Sequence, residues 1–304
     1  MSTSRKLTVA IAGATGDVGT DVTKAFLKLH PETFSRILIL TQNPNGEKAK
    51  ALESLGAELV RVEGALQPGV LKGVDVLVNT QGSVVPPETS DSLFKEAVAS
   101  GVKVYFPSEY GIDHRLGVQD HIWFHEKVRH VSAARSAAPG QLKVIQLYIG
   151  IFSSTIFSPY FGLDTANGVY STLGSGSSEK KVAITATADI GAAVTRLSTL
   201  AVADPTSVPD LVRISSDNRS FKELAEIVGR ETGKKINVVE EPIPESLGRA
   251  RENLIELVEM LRLNFGTGSV DFSANSDNEL VNPDQKFWKW QTVQDYARDV
   301  LAKE

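Results

Sequence analysis

No cysteine occurs among the 304 residues. Disulfides, cysteine-based metal sites and thiol catalysis are therefore excluded. Long apolar runs are missing too. Val144–Phe152, interrupted by Gln146, is among the longest, far short of the ~20 residues a membrane-spanning helix needs. The opening Met1-Ser-Thr-Ser-Arg-Lys6 has no apolar segment of the secretory kind and runs straight into Leu7–Ala12. A cytoplasmic protein without membrane contact is expected. Basic blocks are absent, with 32 Lys+Arg against 37 Asp+Glu and a formal charge of -5, so no nucleic-acid partner is expected. No G-x-S-x-G elbow and no G-x-x-x-x-G-K-[ST] loop is present, which argues against a hydrolase or an NTPase. What remains is ordinary globular usage, 41% apolar and 23% charged, enough for one large or two unequal domains.

The first half alternates regularly. Leu7–Ala12, Arg36–Leu40, Glu58–Val62, Val74–Asn79 and Val102–Phe106 read as short, buried, β-branched strands. Between them, Val18–His30, Glu47–Leu55 and Ser90–Ala99 have helical spacing, and Leu71–Gly73 closes a shorter helix. This alternation predicts a Rossmann-type, doubly wound parallel sheet with helices on both faces. Leu142–Ile149 reads as a sixth strand. Further on, Tyr170–Leu173 and Val182–Thr185 read as a hairpin around Gly174-Ser-Gly-Ser-Ser178, and 189–203 as a helix followed by a strand at 211–215. Ser220 with Glu223 forms a capping box for a helix reaching Thr232, and Pro244–Leu263 and Gln291–Lys303 are helical. The expected organisation is a nucleotide-binding domain over 1–152 and a smaller, discontinuous α/β substrate domain over 153–304, with 189–215 able to return to the first sheet.

Gly13-Ala-Thr-Gly16-Asp-Val-Gly19 ends the first strand and opens the first helix. In that position Gly13 permits the tight turn, Gly16 lets backbone amides approach a pyrophosphate, and Gly19 lets the helix lie close to the strand. The helix dipole then favours phosphate at Thr15, Gly16, Asp17 and Val18. Loops beyond the carboxyl ends of the other strands complete such a site: Thr41, Gln42 and Asn43 after the second, Gln81 and Gly82 after the fourth, Pro107 and Ser108 after the fifth. An acid after the second strand would hold the ribose hydroxyls of NAD, and a basic residue the 2′-phosphate of NADP. Thr41-Gln42-Asn43 is neither. With no acid to repel the phosphate and Lys48 or Lys50 nearby, NADP(H) is favoured and NAD(H) remains possible.

None of the six tyrosines has Lys four residues later, so the usual Tyr–Lys pair of dehydrogenases is absent and another group must supply the proton. Lys127, in the helical Ile122–Val131, is a candidate, because burial lowers a lysine pKa. His121 and His125 are spaced like zinc ligands, but Ile122 stands where the Glu of that motif would be, and no metal is expected. Phe152, Ile156, Phe157, Tyr160 and Phe161 are candidates for an aromatic wall over a flat substrate.

Gly13–Gly19, Tyr105-Phe-Pro-Ser-Glu-Tyr-Gly-Ile-Asp113 and the Lys-containing helix together resemble the isoflavone reductase and NmrA-like branch of atypical short-chain dehydrogenases. Plant reductases of that branch carry a similar Phe-x-Pro-Ser-Glu-Phe-Gly segment and use a lone Lys. Asp189-Ile-Gly191 and Arg213–Gly233 resemble its second half. The resemblance implies NADPH-dependent reduction of a small aromatic or conjugated substrate by a monomer or homodimer, with Tyr110, His125, Phe152, Phe157 and Tyr160 near the substrate. It implies Lys127 as the catalytic group, or His125 in an alternative register. Thr41-Gln42 departs from the Arg that ends the second strand in the family. That departure keeps a second reading open, an NAD(P)-sensing regulator without catalysis.

Overall fold

The computed structural model describes residues 5–82, 84–117, 121–244 and 254–301. The chain divides into two compact units. The first comprises Met1–Glu109, Glu126–Leu147 and Ile190–Val212, and the second Tyr110–His125, Tyr148–Asp189 and Arg213–Glu304.

The first unit is built on a six-stranded parallel sheet. Its elements are β1 (Leu7–Ala12), α1 (Asp17–Leu29), β2 (Phe34–Thr41), α2 (Glu47–Ser54), β3 (Glu58–Arg61), β4 (Val76–Asn79), α3 (Pro87–Ala99), β5 (Val104–Phe106), α4 (Ile122–Ala137) and β6 (Lys143–Val144). The strand order is β3-β2-β1-β4-β5-β6, all parallel. This is the Rossmann order, which reverses between β1 and β4 and opens a crevice at their carboxyl ends. β1 and β4 are buried along nearly their whole length, which is why they read as unbroken apolar runs. One face packs Ala10, Leu38, Leu77, Phe94 and Tyr105 into a core. On α1, Val22 and Phe26 are fully buried, and Phe26 meets Phe34 edge-on at 4.8 Å between ring centres.

In the second unit, Val169–Leu173 pairs in parallel with Asn237–Glu241 and antiparallel with Leu163–Asp164. Lys181–Thr185 pairs antiparallel with Asp217–Ser220 and in parallel with Ile151–Phe152. Tyr170, Phe221, Leu224, Met260 and Phe265 centre the core. Ser220 caps the helix Phe221–Thr232 through a complete capping box with Glu223. Asp113 is buried between Arg115 and Arg213, each at 2.6 Å. Burial pushes its carboxyl up, but hydrogen bonds from both guanidiniums hold it below the ordinary range.

Four expectations are corrected. Tyr170–Leu173 and Val182–Thr185 form no hairpin, because they lie in different sheets. The loop between them is tied instead to the strand Asn237–Glu241, where the Glu240 carboxylate accepts from Gly176 N–H at 2.8 Å and Ser178 Oγ at 2.6 Å. Leu71–Gly73 is a pair of turns rather than a helix, with Gly69 and Gly73 both at left-handed φ. The sixth strand divides after Val144: Lys143–Val144 joins β5, and Gln146–Tyr148 turns to pair with Leu211–Arg213. The boundary expected near Phe152 falls after Leu147, and Tyr110–His125 groups with the second unit, where Ile112 and Phe124 enter its core. Of the helix expected over Pro244–Leu263, Leu254–Thr267 is helical, and 245–253 lie outside the described residues.

Helix Thr187–Ala203 reaches α1 at Gly191, where a Cβ would stand 2.6 Å from the Asp21 carbonyl oxygen and 3.1 Å from the Ala25 methyl. Backbone does not yield as a side-chain tip does. Gly191→Ala is expected to destabilise the protein by about 1–3 kcal/mol, the usual cost of overpacking. Urea unfolding monitored by circular dichroism checks it, and an unchanged midpoint would refute the close approach.

A nucleotide cavity and a buried lysine

The turn after β1 holds the three glycines for different reasons. Gly13 has φ +81, and a Cβ there would stand 2.7–2.8 Å from backbone atoms of Thr80 and Gln81. At Gly19 a Cβ would run into the Gly13 carbonyl oxygen and come within 2.7 Å of Thr80 Oγ1. Both positions are closed by protein. Gly16 differs. Its φ of -76 and ψ of 172 suit any residue, and a Cβ there meets only the Gly13 carbonyl oxygen, at 3.3 Å. Gly16 is also the N-cap of α1, and no side chain caps that helix. The first-turn amides, which have no partner within a helix, are left for a ligand.

A cavity of about 460 Å³ opens beside this turn. Of the residues the sequence nominated for a cofactor, Gly13, Thr15, Gly16, Thr41, Gln42, Asn43, Gln81 and Gly82 line it. Asp17, Val18 and Gly19 lie in the first turn of α1 and outside the lining. Pro107 and Ser108 are outside it too. Ser108 Oγ donates to the Gln81 carbonyl at 2.6 Å, which ties the loop after β5 to the loop after β4. Sequence reading missed other parts of the wall: apolar Val62 and Leu66 after β3, Val85 before α3, and Thr89 and apolar Leu93 on α3. In the sequence Val62 and Leu93 read only as parts of a strand and a helix, and nothing local marks any of the five as facing a cavity.

At the end of β2, Thr41 Oγ1 accepts from Asn43 N–H at 3.2 Å and the Thr41 carbonyl accepts from Val62 N–H at 3.0 Å. Gln42 and Asn43 are left exposed. The two nearby lysines are partly occupied. Lys48 stands 3.8 Å from Asp17, and Lys50 pairs with Glu53 at 2.8 Å.

Lys127 reaches the loop after β5 from α4. Its ammonium donates to the carbonyl oxygens of Ser108 and, at 3.3 Å, Glu109, and faces Glu109 Oε2 at 3.8 Å. The side chain is 24% exposed. Burial pushes its pKa below the usual lysine range, and the Glu109 charge opposes that shift. Residues two apart on an α-helix point about 200° from each other, so with Lys127 turned to the loop, His125 turns away and is exposed. His121 is buried just before α4 and accepts from Trp123 N–H through Nδ1 at 3.2 Å. Nearby, His130 Nε2 meets Tyr105 Oη at 2.8 Å and Nδ1 meets Asp91 at 2.9 Å. Burial lowers the pKa of His130 and raises that of Tyr105.

The nominated substrate residues all lie in the second unit. Tyr110 is buried, Phe152 half-buried, and Phe157 stacks on Tyr296 at 6.3 Å. Tyr160 is 75% exposed, whereas Ile156 and Phe161 enter the core. The five side chains are thus divided between core, partly buried and exposed positions. The short helix Ser153–Ile156 buries Ile156, and the turn Pro159–Phe161 buries Phe161 while leaving Tyr160 at the surface.

The sequence matches the NmrA-like family over residues 5–297. An NmrA-like family domain-containing oxidoreductase of Gibberella moniliformis is 26% identical over 242 residues, covering 74% of this chain and 77% of that protein. A phenylcoumaran benzylic ether reductase of Pinus taeda is 31% identical over 160 residues, covering 50% of each. Among solved structures, leucoanthocyanidin reductase of Vitis vinifera in binary complex with NADPH superposes with a TM-score of 0.75 at 22% identity, covering 97% of this chain and 99% of that one. An isoflavone reductase structure gives a TM-score of 0.74 at 19% identity, with the same coverage. At these identities the structural likeness is one of fold. The family match spans nearly the whole chain, and the chain belongs to the NmrA-like family.

Proposed function

We propose that this protein is an NADP(H)-dependent reductase of a small aromatic or conjugated substrate, with Lys127 as proton donor. The observation that carries the reading is a lysine ammonium, three-quarters buried, held on the loop after β5 at the carboxyl end of the sheet that also bears the glycine turn. The relatives add support: one is named as a benzylic ether reductase, and a fold neighbour was solved with NADPH.

The residues present fit a dinucleotide. The uncapped start of α1 and the open position at Gly16 suit a pyrophosphate, and the cavity supplies polar groups at Thr41, Gln42 and Asn43 with apolar surface at Val62 and Leu66. A bound nicotinamide cofactor supplies hydride. Lys127 supplies a proton, or a hydrogen bond, to the oxygen that gains charge as hydride arrives. Partial burial of the ammonium strengthens that interaction, because fewer waters compete for it.

Three outcomes are expected. Gly16→Val should abolish NADPH binding in calorimetric titration while the circular dichroism spectrum stays unchanged. Unaltered affinity would defeat the glycine-turn assignment. NADPH should bind more tightly than NADH, but modestly, because no Arg offers the bidentate contact that makes phosphate recognition strong. Equal affinities would refute the preference. Lys127→Ala should lower turnover roughly 10²–10⁴-fold, the range for a proton-transfer group, with NADPH affinity little changed. The assay is NADPH oxidation with conjugated enones and aromatic ketones, with His125→Ala as control. If the histidine variant loses turnover and the lysine variant keeps it, the roles are reversed. Binding of NADPH without oxidation across these substrates would favour the regulatory reading.

A further inference from the structure

Two buried groups of the first unit lie outside the nucleotide cavity and converge on Lys127. Glu109 is 2% exposed, and its Oε2 stands 3.8 Å from Lys127 Nζ. Gln146 is 4% exposed and donates from Nε2 to Glu109 Oε1 at 3.0 Å. Gln146 is itself anchored, its backbone N–H donating to the Asp210 carbonyl at 2.9 Å. A lysine ammonium has three donors and no acceptor, whereas the neutral amine carries a lone pair that needs one. The groups named around Nζ are two carbonyl oxygens and a carboxylate, all acceptors. That set fits the ammonium and not the amine.

The surrounding titratable groups are engaged elsewhere. On α4, Arg129 pairs with Glu126 at 2.8 Å and with Asp91 of α3 at 2.9 Å. His130 lies between Asp91 and Tyr105 of β5, and His125 is exposed. Among the described residues, Glu109 is the carboxylate paired with Nζ. That carboxylate is held through its other oxygen by Gln146, so its charge bears on the protonation of Lys127.

We propose that Glu109 is a positioning residue for this site: its carboxylate, clamped by Gln146, keeps Lys127 in the ammonium form and aims it, so that Lys127 acts as an acid. The inference rests on the reading of Lys127 as proton donor. In the step it serves, one N–H bond of Lys127 breaks as an O–H bond forms on the substrate, and the neutral amine left behind takes a proton from water. The direction follows. Without the Glu109 charge, burial acts alone on Lys127, the amine is populated at lower pH, and the acid is lost as pH rises through that lower value.

Trace acetylation with acetic anhydride across a pH series, read by mass spectrometry on the peptide bearing Lys127, gives the midpoint of that one amine without any substrate. Glu109→Gln should move the midpoint down by about one to three pH units, the range for an opposite charge within ~4–6 Å. The alkaline limb of kcat/KM should move with it, while KM for NADPH stays within about twofold. Glu109→Asp should restore most of both. An equal midpoint in wild type and Glu109→Gln overturns the proposal. So does a wild-type Lys127 already neutral at pH 7, a measurement that stands even if the variant fails to fold. A shifted midpoint together with full turnover in Lys127→Ala removes the acid role and defeats the functional reading, whereas an unshifted midpoint with Lys127-dependent turnover leaves that reading standing and defeats this one.

Discussion

No side chain fits where β1, β4 and α1 converge. The Gly13 carbonyl oxygen, the Thr80 backbone and the start of α1 occupy the space that Cβ atoms at positions 13 and 19 would fill. Thr80 completes the junction by donating to the Ala12 carbonyl through both N–H and Oγ1, each at 2.8 Å. Because the backbones touch there, the uncapped end of α1 lies at the carboxyl edge of the parallel sheet instead of standing off it. The cavity, the loops after β2 and β4, and the loop after β5 that Ser108 ties to Gln81 are all placed by that junction. Gly16 differs in degree: its φ and ψ suit any residue, and a Cβ there would press only on the Gly13 carbonyl oxygen at 3.3 Å, so the turn closes on it less tightly than on Gly13 or Gly19.

The second constraint is electrostatic. An ammonium taken out of water costs several kcal/mol, and an opposite charge at about 4 Å returns about 4 kcal/mol at an effective dielectric near 20. Burial and Glu109 pull Lys127 in opposite directions, and burial is the larger of the two. A fully exposed lysine would feel neither force. A lysine buried without Glu109 would feel burial alone, which disfavours its charge. The observed arrangement lies between, with burial lowering the lysine's pKa and the Glu109 charge opposing that shift.

Much of the first unit was legible in the sequence, and the reasons are physical. A strand buried on both faces must be apolar along its length, so Leu7–Ala12 and Val76–Asn79 announce themselves. The glycine turn is visible because backbone contacts tolerate no substitute at positions 13 and 19. The capping box at Ser220 is equally local. What stayed hidden depended on contacts distant in sequence. Glu109 stood in view within Pro-Ser-Glu-Tyr-Gly, yet nothing local marks it as the partner of Lys127 or places Gln146, thirty-seven positions away, on its other oxygen. The spurious hairpin failed for the same reason: Glu240 captures the loop after Leu173 from 62 and 64 residues further on. The four aromatics and Ile156 after β6 looked like one surface because their spacing does not show that Ile156 and Phe161 are buried while Tyr160 is exposed.

The two ends of the candidate site differ in kind. Around Lys127 the charges are largely buried, the ammonium donating to backbone carbonyls and Glu109 accepting from Gln146. Around Thr41 they are exposed. Lys48 and Asp17 stand 3.8 Å apart with 66% and 94% of their side chains in solvent, and such pairs contribute little because water and salt screen them. A mobile exposed lysine can turn toward an incoming phosphate at small cost, since it gives up almost nothing at Asp17. It gains equally little selectivity, because a screened point charge discriminates weakly where a planar, bidentate Arg would discriminate strongly. Burial, then, fixes the surroundings of Lys127 and leaves the Thr41 end with exposed amides, hydroxyls and charge that is easily rearranged.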